Sequence, residues 1–131
     1  MKGFLVRLSV YAILVVVSIS CRSKIPDKNA QIAYVNDVEA PATGTIRERL
    51  QIPVKFTVNN GCGSFNRFVE SQNGTTRTIA VEATYTDGIC TQALETKTVN
   101  YSFQPSIPGT YQLEFKSSPS ESIRVAIKIN P

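Results

Sequence analysis

Strict alternation of apolar and polar residues restricts this chain more than any other feature. Leu50, Ile52, Val54, Phe56 and Val58 alternate with Gln51, Pro53, Lys55 and Thr57. Successive side chains of an extended strand point to opposite faces, so this pattern lays one apolar row on one face. The same period returns in Ile79-Val81-Ala83-Tyr85, in Val99-Tyr101-Phe103, in Tyr111-Leu113-Phe115 and in Ile123-Val125-Ile127-Ile129. Nothing in this part of the chain reads as a helix.

Turn chemistry separates the runs: Asn59-Asn60-Gly61, Asn73-Gly74, Asp87-Gly88, Pro108-Gly109 and Ser117-Ser118-Pro119-Ser120. Asn73-Gly74 predicts a two-residue type I′ hairpin, which needs positive φ at both positions. Weaker strands are expected around Ile32 to Val38 and around Phe65 to Ser71. The sum is about seven strands in roughly 100 residues, the pattern of an all-β, antiparallel β-sandwich. Pro53 cannot donate to a ladder, so the strand around it is expected at an edge or to carry a bulge.

The N-terminus belongs to a different kind of segment. Lys2 and Arg7 precede the apolar run Leu8 to Val17, followed by Ser18-Ile19-Ser20-Cys21. A basic start, a short apolar stretch and small residues before a cut site describe a secretory signal. A membrane-spanning helix needs about 20 apolar residues, more than this stretch offers; an uncleaved anchor is the competing reading. Small residues just before a cysteine resemble the lipobox of bacterial lipoproteins. That resemblance implies cleavage before Cys21 and acylation of its thiol, with a soluble secreted protein as the alternative. The expected organisation is therefore a signal peptide over 1–20, a tether over 21–30 and one sandwich domain over 31–131.

Export changes the charge and cysteine arithmetic. The whole chain carries 14 Lys plus Arg against 10 Asp plus Glu; without Lys2 and Arg7 the balance is 12 against 10, a net +2. Of the three cysteines, Cys21 is assigned to lipidation, which leaves Cys62 and Cys90 as one pair in an oxidising compartment. A disulfide is expected, against two free thiols or a metal pair. Lettering the strands A to G from Ile32 places Cys62 in the B-to-C turn and Cys90 in the D-to-E turn. In an immunoglobulin-like sandwich those turns share one pole, so the bridge would clasp that end.

The chain holds no histidine. Ser-His and Cys-His pairs, imidazole bases and zinc sites with His ligands are thereby excluded. The ten carboxylates are scattered, without the facing pair a glycosidase needs. No EF-hand series or phosphate-cradling glycine loop is present either. No enzyme activity, cofactor or metal is expected, and export without a dense basic cluster argues against nucleic acid.

Two resemblances add to this. Pro108-Gly109-Thr110-Tyr111-Gln112-Leu113 resembles the start of strand F in immunoglobulin-like domains, where a tyrosine after a tight turn bonds back to the backbone. Asn60-Gly61-Cys62-Gly63-Ser64-Phe65, with Gly88-Ile89-Cys90-Thr91-Gln92 and the later Pro108-Gly109-Thr110-Tyr111, resembles a group of small uncharacterised Bacteroidota lipoproteins over most of residues 50–129. The resemblance implies an immunoglobulin-like fold and an envelope location, and no activity.

Among surface candidates, Phe65, Arg67 and Phe68 beside the clasped pole are the most distinctive. Phe65 and Phe68 lie three positions apart, so a regular strand cannot bury both. Either one ring is exposed next to Arg67, a composition favoured in binding hot spots, or a bulge turns both inward. Thr45, Arg47, Arg49, Gln51 and Lys55 are expected as a small basic strip opposite the apolar row, a site for anionic glycans or headgroups if it is not simply a solvated face.

The functional expectation is a lipid-anchored, non-catalytic binding module of the bacterial cell envelope, at the outer membrane. Its acyl tether leaves from the clasped pole, and its partner is an envelope protein or membrane-proximal glycan. The alternatives are an inhibitor of a lysozyme or protease, or a structural subunit of an envelope assembly joined through an edge strand near Pro53.

Overall fold

The computed structural model describes residues 27–131. The signal segment, Cys21 and most of the tether fall outside them. Every regular element among the described residues is a strand: β1 (Ala30–Ala33), β2 (Val35–Val38), β3 (Thr43–Thr45), β4 (Leu50–Val58), β5 (Gly63–Asn73), β6 (Thr76–Tyr85), β7 (Glu95–Phe103), β8 (Gly109–Lys116) and β9 (Ser122–Asn130). They form a six-stranded and a three-stranded sheet packed face to face.

The apolar rows read from the alternation face each other across the two sheets. Ile52, Val54, Phe56 and Val58 of β4 and Tyr101 and Phe103 of β7 meet Ile79, Val81 and Ala83 of β6, Leu113 and Phe115 of β8, and Ile127 and Ile129 of β9, all buried. Burying side chains of this size contributes about 1.5–3 kcal/mol each.

Nine strands stand where about seven were expected, for two reasons. The segment from Ile32 to Val38 is not one strand. It changes sheets at Tyr34, so that β1 pairs with β6 while β2 pairs with β4. The short β3, which the turn signals did not mark, pairs with the end of β9.

The sheets are also not wholly antiparallel. β3 runs parallel to β9, and β6 runs parallel to β8. The second case follows from the route of the chain. After β6 it crosses to the other sheet as β7, returns as β8, and so arrives pointing the same way as β6. β8 and β1 share one lane beside β6: β8 pairs along Thr76 to Ile79, and β1 along Val81 to Thr84.

Pro53 sits in the middle strand of the three-stranded sheet, between β2 and β7, and in a regular register with Asn100. The expected edge position is corrected by the length of β2. Its last pair is Val38 with Val54, and the next residue, Glu39, donates its N–H to the Pro53 carbonyl at 3.0 Å. In an antiparallel ladder the N–H and C=O of one residue point the same way, so the donor that proline lacks would point past the end of β2.

The β5–β6 hairpin has the expected two-residue loop, shifted by one residue along the chain and of a different type. Asn73 pairs with Thr76, leaving Gly74-Thr75 as the loop. Positive φ falls on Gly74 alone, at 62°, the arrangement of a type II′ turn with glycine first.

Candidate functional site

The register fixes what gathers at the clasped pole. Ala30, the first residue of β1, stands opposite Thr84 near the end of β6, and Gly63, the first of β5, stands opposite Tyr85. The chain therefore enters the domain at the same end as the turn after β4 and the loop after β6. Cys62 and Cys90 join those two connections, with their Cα atoms 5.4 Å apart. Around the bridge, the Gly61 N–H donates to the Thr91 carbonyl at 2.8 Å, and Cys62 N–H donates to Asn60 Oδ1 at 2.9 Å. Tyr85 Oη accepts the Asn59 N–H at 3.0 Å.

Gly63 shows why this corner accepts only glycine. A Cβ there would lie 2.6 Å from Val58 Cβ and 2.8 Å from the Tyr85 ring. The start of β5 thus presses directly on the end of β4.

The end of the expected tether is not free. Thr84 Oγ1 donates to the Asp27 carboxylate, which also accepts the Asn29 N–H at 3.0 Å. These bonds, the Thr84 one first, hold the Asp27 carboxyl below its ordinary pKa. Residues 27–30 are thereby docked against β6.

Phe65, Arg67 and Phe68 are separated by a bulge. Phe65 faces Ala83, Arg67 faces Glu82 and Phe68 faces Val81, which leaves Asn66 as the extra residue. The extra residue restores the inward parity for Phe68, so both rings pack against the core. Their centroids lie 4.9 Å apart, and Phe68 meets the Tyr101 ring edge-on at 5.0 Å. Arg67 is turned to the outer face, where its Nε and Nη2 reach the two oxygens of Glu82 at 2.8 and 3.2 Å. Glu82 also accepts from Asn66 Nδ2 at 2.9 Å. One carboxylate thus pins both residues of the bulge, and Arg67 holds its pKa down. The three candidates do not form one exposed patch.

The expected basic strip is broken as well. Arg47 lies in a turn with φ at 66°, its carbonyl accepting from Gln104 Nε2 at 2.8 Å and its N–H donating to Pro105 at 2.9 Å. It is out of line with Gln51 and Lys55. Lys55 Nζ is shared by Asp37 and Glu39, both at 2.9 Å, which raises the lysine pKa and lowers that of Asp37. Two carboxylates around one ammonium neutralise the Lys55 end of the strip, while Arg49 bonds the neutral Gln104 side chain at 3.5 Å.

A polar cluster that the alternation pattern did not single out lies on the flank between β5 and β7. Buried Tyr101 donates its hydroxyl to Glu70 Oε2 at 2.9 Å and accepts from Arg77 Nη1 at 3.0 Å. Arg77 also lies 5.2 Å over the Phe103 ring. Burial is the main reason the Tyr101 hydroxyl is pushed up to about 12. The signal was present in parity, since Arg77 occupies the same row as Ile79, Val81 and Ala83. Every charge in the cluster is paired, as a seal for the open flank requires.

On the outer face of the larger sheet, a shallow groove of about 210 Å³ marks the place where β8 stops and β1 takes over its lane; Ile32, Tyr34, Ala80, Lys116, Ser118 and Pro119 line it. At the opposite pole, Tyr111 Oη donates to the Ile107 carbonyl at 2.8 Å, the back-bond that the resemblance to strand F implied. Among the described residues, no group of three or more Cys, Asp or Glu side chains is placed to hold a metal ion.

Two sheets around one apolar core, clasped at one pole and tied by a tyrosine at the other, define a β-sandwich domain. A family model described as the ORF11 beta-sandwich domain matches residues 52–125, from within β4 to within β9, and the chain belongs to that family. The matched span contains the clasp, the bulge and the tyrosine tie; β1 to β3 lie before it. No curated protein and no solved structure matches the chain.

Proposed function

We propose that this protein is a lipid-anchored, non-catalytic binding module of the bacterial cell envelope, held at the outer membrane through an acylated Cys21, with an immunoglobulin-like sandwich of the Bacteroidota lipoprotein kind as its working part. The observation that carries the reading is the docking of Asp27 on Thr84 beside the clasped pole. It fixes which end of the domain the segment after Cys21 leads to. From Cys21 to Asp27 is six residues, which span at most about 20 Å. The acyl group then keeps the clasped pole, and whatever it binds, close to the membrane. An envelope protein or membrane-proximal glycan suits that position better than a distant soluble ligand.

The pairing of the described charges supports a binding role over a catalytic one. Asp37 and Glu39 serve Lys55, Glu82 serves Arg67, Glu70 serves Arg77 and Tyr101, and Glu114 serves Arg124. A structural subunit is the second reading, favoured by β5 and β7, each of which pairs on one side only. It shifts the expected joint away from Pro53 to these two edges.

Metabolic labelling with a palmitate analogue tests the anchor: the wild type takes the label and Cys21→Ala does not. Equal labelling of the two sinks it. Affinity purification of the full chain from its native membrane then separates the roles. A stoichiometric strand-paired partner favours the subunit, a weakly held protein or glycan favours the binding module, and inhibition in a panel of lysozymes and proteases favours an inhibitor.

A further inference from the structure

We infer that the loop Thr86 to Leu94 touches the lipid bilayer itself, inserting Ile89 and Leu94 into the interfacial layer at the pole from which the N-terminal segment departs. The inference rests on the lipid-anchored reading and adds a second point of membrane contact to it.

Ile89 is fully exposed and Leu94 is 72% exposed. Exposed apolar side chains that occur singly on a surface need no explanation. These two share one nine-residue connection, and the connection is cross-linked. The Cys62–Cys90 bridge holds its middle, and the Thr91 carbonyl takes the Gly61 N–H. Thr86 N–H donates to the Cys62 carbonyl at 3.3 Å, and Gln92 Nε2 donates to the Cys90 carbonyl at 3.2 Å. The loop ends lie at Tyr85 and Glu95 in opposite sheets, with the bridge between them. The domain therefore carries two aliphatic side chains in water, held in place before any contact is made.

What covers them is indicated by the chain. Cys21, the expected acylation site, lies six residues before Asp27, and Asp27 is bonded to Thr84, two residues before the loop begins. With at most about 20 Å between Cys21 and Asp27, an anchored chain keeps this pole over the bilayer. An apolar contact beside a lipid anchor adds to membrane binding in proportion to the apolar area it buries. Charge does not oppose the approach. Asp87 is the one acidic residue of the loop, and the segment 21–30 carries Arg22, Lys24 and Lys28 against Asp27. The opposite pole supplies a control, since Ile107 is comparably exposed at 67% on the far side of the domain.

The chain contains no tryptophan, so one introduced tryptophan reports alone. Ile89→Trp, Leu94→Trp and Ile107→Trp are each made in the full acylated chain and reconstituted into phosphatidylcholine vesicles dibrominated near the headgroup end of the acyl chains. Residues 89 and 94 are expected to emit at shorter wavelength than 107 and to be quenched about threefold more, as side chains buried in the interfacial layer are. Either of the two suffices if the other fails to fold. If the vesicles carry the protein but 89 and 94 emit and quench as 107 does, the loop contact is overturned and the anchor stands. Stronger quenching at 107 overturns the contact by showing the other pole at the membrane. If no variant floats with the vesicles, the anchor reading and the inference fall together.

Discussion

Tyr111 donates its hydroxyl to the Ile107 carbonyl 2.8 Å away, tying the start of β8 to the loop by which the chain returns from the other sheet. This return sets the parallel pairing of β8 with β6, and the next residues of β8, Gln112 to Phe115, are the ones that make it. Tyr111→Phe keeps the ring against Phe103 and removes the bond. The expected loss is about 1 kcal/mol, a fall in melting temperature of about 4–8 °C. An unchanged melting temperature would show that the bond only accompanies the crossover.

Tyr101 gives the domain an alkaline limit. Its hydroxyl deprotonates near 10.0 in an unfolded chain, while burial, with the Glu70 bond adding to it, holds it up to about 12 in the fold. Below pH 10 both states are protonated and the stabilisation is complete. Between pH 10 and 12 the unfolded chain releases a proton that the folded chain keeps, so stability falls as pH rises. The urea midpoint of the wild type should drop through that window more steeply than that of Tyr101→Phe. Parallel slopes would remove Tyr101 from the explanation. At pH 7 the same variant should lose about 1.5–3 kcal/mol, the cost of removing a hydrogen bond to charged partners.

The clasp acts chiefly on the unfolded chain. Cys62 and Cys90 are 28 residues apart, which in the chain-entropy model stabilises the fold by about 3–4 kcal/mol. Cys62→Ser with Cys90→Ser should lower the free energy of unfolding by that amount in urea titrations. The double variant should match the reduced wild type, and a large gap between them would point to strain or to new contacts of the serines.

Phe65 and Phe68 should behave as core. Each is partly buried against the cluster that includes Phe56 and Tyr101, so Phe65→Ser and Phe68→Ser should each cost about 2 kcal/mol or more. If the melting temperature stays put for either, that ring is a surface contact. Asn66 deletion is the sharper test. It leaves Phe65 and Phe68 two positions apart, so a regular strand keeps both rings inward without the bulge, and it should destabilise less than Phe68→Ser.

The acidic limit differs in kind. Lys55 holds Asp37 below its ordinary pKa, and Arg67 does the same for Glu82. Stability from such pairs is present above the unfolded carboxylate range and is lost as pH falls through the depressed values. Lys55→Met should move the Asp37 titration midpoint upward in carboxyl NMR and leave that of Glu82 in place. Equal movement of both would mean that the two pairs are coupled.

Five of the strands could be read from residue order because alternation is a local property. A row such as Leu50 to Val58 states which face is buried without reference to any neighbour, and the same holds for β6 to β9. The disulfide and the tyrosine tie were legible for a related reason, since each follows from which connection a residue occupies. What alternation cannot state is the partner of each strand. The sheet change at Tyr34, the lane shared by β1 and β8, and the place of Pro53 beyond the end of β2 depend on how far neighbouring strands extend. The bulge at Asn66 belongs with them. The three-residue spacing of Phe65 and Phe68 posed the question, but the answer came from Glu82 on the next strand, which bonds Asn66 and Arg67 together. Sequence alone determined the apolar faces and the clasped connections, because these are fixed by covalent order and a period of two. Only the tertiary structure decided which edges are free, which charges are neutralised and which apolar side chains are left in water at the pole where the chain enters, because each depends on atoms brought from distant parts of the chain.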